Sequence, residues 1–188
     1  NSRVFVKNGF RESPNTAVHI LLDSSGSMTD SGLMLANAVC YAVGKALQGI
    51  SGVNLGITAF PGANRAKRGT TVAPVLRHGE KLTARFPEIA YGMTPMAESL
   101  WWVMQQMCLL RENRKIILII TDGEPDSIPA AQEAFNQAQK KGVECYGLGI
   151  MCPSISTLLP HTSRVVETLP QLAPALFELL EGALRRKA

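Results

Sequence analysis

The chain has 188 residues, of which 46% are hydrophobic and 18% charged, with a formal net charge of +4. That length suits one α/β domain with a sizeable core, and the composition is globular rather than disordered or fibrous. The mild positive charge comes with no aromatic-rich basic stretch, so nucleic-acid binding has no signature, and no apolar run reaches the roughly eighteen residues of a membrane span.

Residues 1–16 read as a polar lead-in to a domain spanning 17–188, with Val4-Phe5-Val6 equally an edge strand or loosely ordered chain. The opening Asn1-Ser2-Arg3 lacks a Met and a signal peptide, which fits a fragment of a longer protein. Ala17–Leu22 is a short apolar run bounded by polar residues, as expected of a buried strand. A helix is predicted from about Ser31 to Leu47, with Ala36, Val39, Cys40, Val43 and Leu47 on one face, closed by Gly49 and Gly52. Val53–Phe60 and Thr71–Leu76 are predicted strands joined by a turn rich in glycine and charge. Pro74 marks the second as an antiparallel edge. Arg65, Lys67 and Arg68 in that turn read first as a solvated tip.

Leu82–Ile89 reads as a short amphipathic helix or turn. Thr94-Pro95 reads as a helix start, with Thr94 as N-cap and Pro95 at the first position, where its missing N–H costs nothing. That helix runs to about Leu110 with Leu100, Val103, Met104, Met107 and Cys108 inward, and Trp101 and Trp102 read as core. Ile116–Thr121 is a strand, Ala130–Lys141 a helix closed by Gly142, and Val143–Ile150 a strand. Pro153–Leu159 is a short helix or loop, Arg164–Val166 a short strand, and Pro170–Arg186 a final helix striped by Leu172, Leu176, Leu179, Leu180 and Leu184. Arg185, Arg186 and Lys187 suit its negative end. Strands alternate with helices. The predicted fold is therefore α/β and doubly wound: a mostly parallel six-stranded sheet with one antiparallel edge strand and helices on both faces.

Four cysteines without a Cys-x-x-Cys pair point to a reducing, cytoplasmic setting, with a Cys145–Cys152 bridge as the minor alternative. His19 reads as a packed core histidine, while His78 and His161 fall in loops.

Three stretches carry the chemistry. The first strand ends on Asp23-Ser24-Ser25-Gly26-Ser27, offering a carboxylate and two hydroxyls where the strands of an open parallel sheet place ligands. Gly92-Met93-Thr94-Pro95-Met96 puts a hydroxyl at a helix start, and Thr121-Asp122-Gly123 ends another buried strand on a carboxylate. Oxygen donors of this kind suit a hard divalent cation. Each residue also has a plainer reading: Asp23, Asp122 and Thr94 as helix caps, Ser25 and Ser27 as turn formers. Glu124 and Asp126, just beyond, read as solvated.

The order Asp-x-Ser-x-Ser, then Thr, then Thr-Asp-Gly resembles the metal-ion-dependent adhesion site of the von Willebrand factor A family over residues 15–186. The resemblance implies a Rossmann-like fold and a metal site made of Asp23, Ser25, Ser27, Thr94 and Asp122. It implies Mg²⁺ there, with Mn²⁺ or Ca²⁺ as substitutes, and a partner protein's Asp or Glu as the remaining ligand. It places the 61–69 turn near the metal end of the sheet. The loop sequences resemble intracellular prokaryotic members, such as chelatase subunits, that work beside hexameric AAA+ ATPases of the MoxR or chelatase type. The implied function is metal-dependent recognition, not catalysis. Two alternatives remain. One is a Mg²⁺-dependent phosphohydrolase of the haloacid-dehalogenase type, which needs a second acid where Ser25 stands. The other is a structural domain with an unused site.

Overall fold

The computed structural model describes residues 15–62 and 71–185. Val4–Val6, Arg65, Lys67, Arg68, Arg186 and Lys187 lie outside them, and so do the readings placed on them.

The strands are β1 (Thr16–Asp23), β2 (Val53–Phe60), β3 (Ala73–Leu76), β4 (Arg114–Thr121), β5 (Val143–Ile150) and β6 (Ser163–Val166). The helices are α1 (Thr29–Gln48), α2 (Met96–Cys108), α3 (Ile128–Lys140), α4 (Ser154–Leu158) and α5 (Leu172–Arg185). The strands form one sheet in the order β3-β2-β1-β4-β5-β6. All neighbours are parallel except β2 and β3, which are antiparallel. Pro74 sits on β3, at the sheet edge, where a residue without an N–H breaks no ladder.

β1 and β4 are central and covered on both faces, so each reads as an almost unbroken apolar run. Val18, Ile20 and Leu22 of β1 face a cluster shared with Leu33, Cys40 and Leu47 of α1 and Leu172, Leu176 and Leu180 of α5. Ala17 and Leu21 face the other cluster, with Leu100, Val103 and Met107 of α2, Ala134 and Phe135 of α3, and Ile155 of α4. Burying such side chains stabilises the domain by about 1.5–3 kcal/mol each. In register, Asp23 lies opposite Phe60 of β2, and Leu22 opposite Ile120 of β4. Three adjacent strands therefore finish level, and the loops that follow them meet.

His19 is buried within β1, as a core histidine should be. Its Nδ1 lies 2.9 Å from His78 Nε2 and its Nε2 2.9 Å from Thr58 Oγ1. Burial, and secondarily His78, hold its pKa well below the ordinary histidine value, so the ring is neutral. Gly56 makes the pair fit: a Cβ there would lie 2.5 Å from His78 Nε2 and 2.6 Å from His19 Nδ1.

Several expectations need correction. Leu82–Ile89 forms no helix and crosses the surface as irregular chain anchored by Leu82, which is buried. Pro95, not Thr94, is the N-cap of α2, because Pro95 takes a ψ of 60° and the first helical residue is Met96. α2 buries Leu100, Val103, Met104 and Met107 but leaves Cys108 and Trp101 exposed, with Trp102 half-buried. Trp101 sits one position, about 100°, off the inward stripe, and Cys108 is the last helical residue, beyond the packed face. The final helix starts at Leu172 rather than Pro170, after a 3₁₀ turn at Leu169–Gln171 capped reciprocally by Thr168 and Gln171. Cys145 and Cys152 are both free thiols, so the bridge between them does not form.

Candidate metal centre

β1 delivers Asp23 to the level where the sheet ends, with no solvent exposure. Its Oδ1 accepts the Ser25 N–H at 2.8 Å, and its Oδ2 accepts the Thr121 hydroxyl at 2.5 Å. Ser25 Oγ and Ser27 Oγ lie 3.0 Å apart, and Ser27 Oγ donates to Asp122 Oδ1 at 2.7 Å. A 3₁₀ turn at Gly26–Met28 curls the chain so that Ser25 and Ser27 stay on the same side.

The segment before α2 is fastened to this turn by backbone bonds. Tyr91 N–H donates to Ser24 O at 3.0 Å, and Gly26 N–H to Gly92 O at 3.1 Å. Gly92 has a φ of +84°, a conformation that favours glycine. Thr94 follows two residues later. Its N–H donates to Asp126 Oδ1 at 2.8 Å, and its carbonyl accepts the Asp126 N–H at 3.0 Å. A Cβ on Gly123 would lie 3.2 Å from Ser27 Oγ and 3.4 Å from Thr94 Oγ1. Both hydroxyls thus lie against Gly123, where a side chain would press on them.

Asp23, Ser25, Ser27 and Asp122 are therefore joined in one hydrogen-bonded relay, and Thr94 stands beside Ser27 across Gly123. Sequence reasoning missed two residues that set this geometry. Thr121 orients Asp23; it was visible only as the first letter of Thr-Asp-Gly. Asp126 buckles the Thr94 loop to the β4–α3 loop, although a loop carboxylate reads as solvated.

Burial pushes the Asp23 carboxyl up to about 6, against the pull of its hydrogen bonds from Thr121 and Ser25, with Asp122 adding a smaller upward push. Burial also raises Asp122, partly offset by the Ser27 bond. Ion pairs among the described residues join Arg114 to Glu144, Arg164 to Glu178 and Arg185 to Glu181; none reaches Asp23 or Asp122. Among the described residues, the two carboxylates converge with no basic side chain paired to either. Ser27 donates its one hydroxyl hydrogen to Asp122, so Ser25 is the donor in the Ser25–Ser27 contact and Ser27 keeps one further lone pair. Donor type and charge fit one hard divalent cation.

The model of the von Willebrand factor type A domain matches residues 17–175. No curated protein sequence matches the chain. Among solved structures, the chain is similar to a manganese-loaded TRAP protein of Plasmodium vivax, with a TM-score of 0.69, 15% identity, and coverage of 89% of this chain and 74% of that one. It is similar to proximal thread matrix protein 1 of the mussel byssus with a zinc-occupied MIDAS motif, with a TM-score of 0.74, 12% identity, and coverage of 92% and 46%. It is also similar to the pilus adhesin SpaC of Lactobacillus rhamnosus GG, with a TM-score of 0.77, 14% identity, and coverage of 93% and 30%. The chain thus spans less than half of the mussel protein and less than a third of the adhesin, and at these identities the likeness is one of fold. With the family model covering most of its length, the chain belongs to the von Willebrand factor type A domain family.

Proposed function

We propose that this domain is a metal-dependent protein-interaction module whose site is Asp23, Ser25, Ser27, Thr94 and Asp122. One observation carries the reading: a fully buried carboxylate, Asp23, tied through Thr121 and Ser25 into a site whose second carboxylate, like Asp23, pairs with no basic side chain among the described residues. A bound Mg²⁺ supplies the missing charge and an open coordination position for a partner's Asp or Glu. Asp23 and Asp122 neutralise the ion without overcompensating it; Ser25, Ser27 and Thr94 add donors without charge. Mn²⁺, and Ca²⁺ with looser geometry, fit the same oxygens. The manganese-loaded and zinc-occupied relatives support a divalent ion in this fold.

The finer reading is a cytoplasmic adaptor for an AAA+ ATPase of the MoxR or chelatase type. Its support is the resemblance of the site loops and four free thiols, which suit a reducing compartment. The phosphohydrolase alternative is disfavoured because Ser25 stands where a second acid is needed. The test is affinity capture with the wild-type domain from the native host, in Mg²⁺ and in chelator, beside Asp23→Asn. A partner retained only by wild type in Mg²⁺ supports the module, and an AAA+ ATPase among the retained proteins supports the adaptor. Equal retention in chelator rejects both.

A further inference from the structure

Among the described residues, the loops around the candidate site expose several large apolar side chains. Met93 immediately precedes Thr94 and is 71% exposed; Tyr91, whose N–H is bonded to Ser24 O, is 65% exposed. Met151 directly follows β5 and is 71% exposed. Its neighbour Cys152 fixes that loop to the site by donating its thiol hydrogen to Gly123 O at 3.3 Å. Ile128, also exposed, opens α3 from the loop that carries Asp122.

Met151 has a φ of +51°, which is uncommon for a residue other than glycine and costs conformational energy. The strained residue is held by the bond from its N–H to Val166 O at 2.7 Å. The result is a thioether exposed to water on the residue next to Cys152, whose thiol is bonded to Gly123 O. Among the described loops, 24–35, 89–97, 121–131 and 150–156 contain no Lys or Arg, while Asp30, Glu124 and Asp126 add negative charge; Arg65, Lys67 and Arg68 of the 61–69 turn lie outside the described residues. A run of acids on a partner meets repulsion from these described loops. A single acid with apolar neighbours does not.

We infer that the rim formed by Tyr91, Met93, Met151 and Ile128 selects a partner segment in which one Asp or Glu is flanked by large apolar side chains. The inference rests on the metal-dependent reading above and deepens it. A carboxylate is common on protein surfaces, so a metal-bound acid alone gives little specificity. Buried apolar contact around it supplies the remainder, and methionine adapts to side chains of different shape.

The probes are three blocked pentapeptides: Gly-Leu-Glu-Leu-Gly, Gly-Gly-Glu-Gly-Gly and Gly-Asp-Glu-Asp-Gly. Each is titrated into the ¹⁵N-labelled domain in Mg²⁺ and in chelator and followed by amide chemical shifts. The leucine-flanked peptide is expected to bind at least about tenfold tighter than the glycine-flanked one, in Mg²⁺ only. The double variant Met93→Ser, Met151→Asn is expected to erase that preference while its Mg²⁺ affinity stays unchanged. Both residues are exposed, and asparagine tolerates the positive φ. Equal binding of the leucine and glycine peptides in Mg²⁺ overturns the selective rim but leaves metal-dependent recognition standing. So does a preference for the aspartate-flanked peptide. Silence of all three peptides in Mg²⁺ overturns the metal-dependent reading and the rim with it.

Discussion

At the start of β4, Arg114 meets Glu144 of β5 through two parallel bonds, Nε to Oε1 at 2.5 Å and Nη2 to Oε2 at 2.7 Å, and Tyr146 donates to the same carboxylate at 3.0 Å. At the far end of the same sheet, Asp23 and Asp122 receive, among the described residues, hydroxyls and backbone N–H but no basic side chain. The first pair is closed: each charge has its complement within the chain, and the bidentate geometry fixes it. The second is open. Its hydrogen bonds orient the carboxylates but do not cancel them, and a folded protein keeps such an arrangement at a cost in stability. The difference separates a polar cluster that holds the fold from one that the fold holds for a ligand.

Protonation breaks the comparison most strongly. Without divalent cation, Asp23 binds its proton more tightly when folded, at about 6, than when unfolded, near 3.8. Its contribution therefore favours folding below pH 3.8 and is lost as pH rises through 6, a change of up to about 3 kcal/mol. Denaturant unfolding in chelator should show wild type losing stability between pH 4 and 7. Asp23→Asn should be flatter across that window and more stable than wild type at pH 8. A wild-type profile that instead rises with pH, or an asparagine variant less stable than wild type at pH 8, contradicts the open-site account.

The closed pair should respond with the opposite sign. Arg114→Met leaves a partly buried Glu144 carboxylate without its guanidinium, and is expected to lower stability by about 1–2 kcal/mol, less than a fully buried pair because Glu144 is a third exposed. Equilibrium unfolding at pH 7 measures it, and added Mg²⁺ should shift this variant and wild type equally. A smaller effect sharpens the contrast. Thr94→Ala removes one neutral donor, so Mn²⁺ affinity by calorimetry should fall about tenfold, or 1.4 kcal/mol. Metal-free stability should move by no more than about 0.5 kcal/mol. An unchanged affinity would remove Thr94 from the ligand set.

Most of this architecture can be read in the residues. β2 and β5 match their predicted limits because glycine or proline brackets short, β-rich runs at Gly52–Phe60 and Gly142–Ile150. Asp23, Ser25, Ser27 and Asp122 could be found because strand ends and hydroxyl spacing are local signals. What escaped depends on contacts distant in sequence. The Asp126 carboxylate bonds to Thr94, 32 positions away, and Thr121 bonds to Asp23 across 98. Thr94 looked like a cap because Thr-Pro often opens helices, but its backbone is claimed by Asp126. The His19–His78 contact was hidden for the same reason, since nothing local to Gly56 announces that two rings converge on it.

Calorimetric titration of Mn²⁺ into the purified domain at pH 7.5, with Asp23→Asn alongside, bears most directly on the open cluster at the end of β1. Saturable binding of one ion by wild type, absent in the variant although it folds, is the expected result. A folded wild-type domain that takes up no cation, or a variant that binds as tightly, would contradict it.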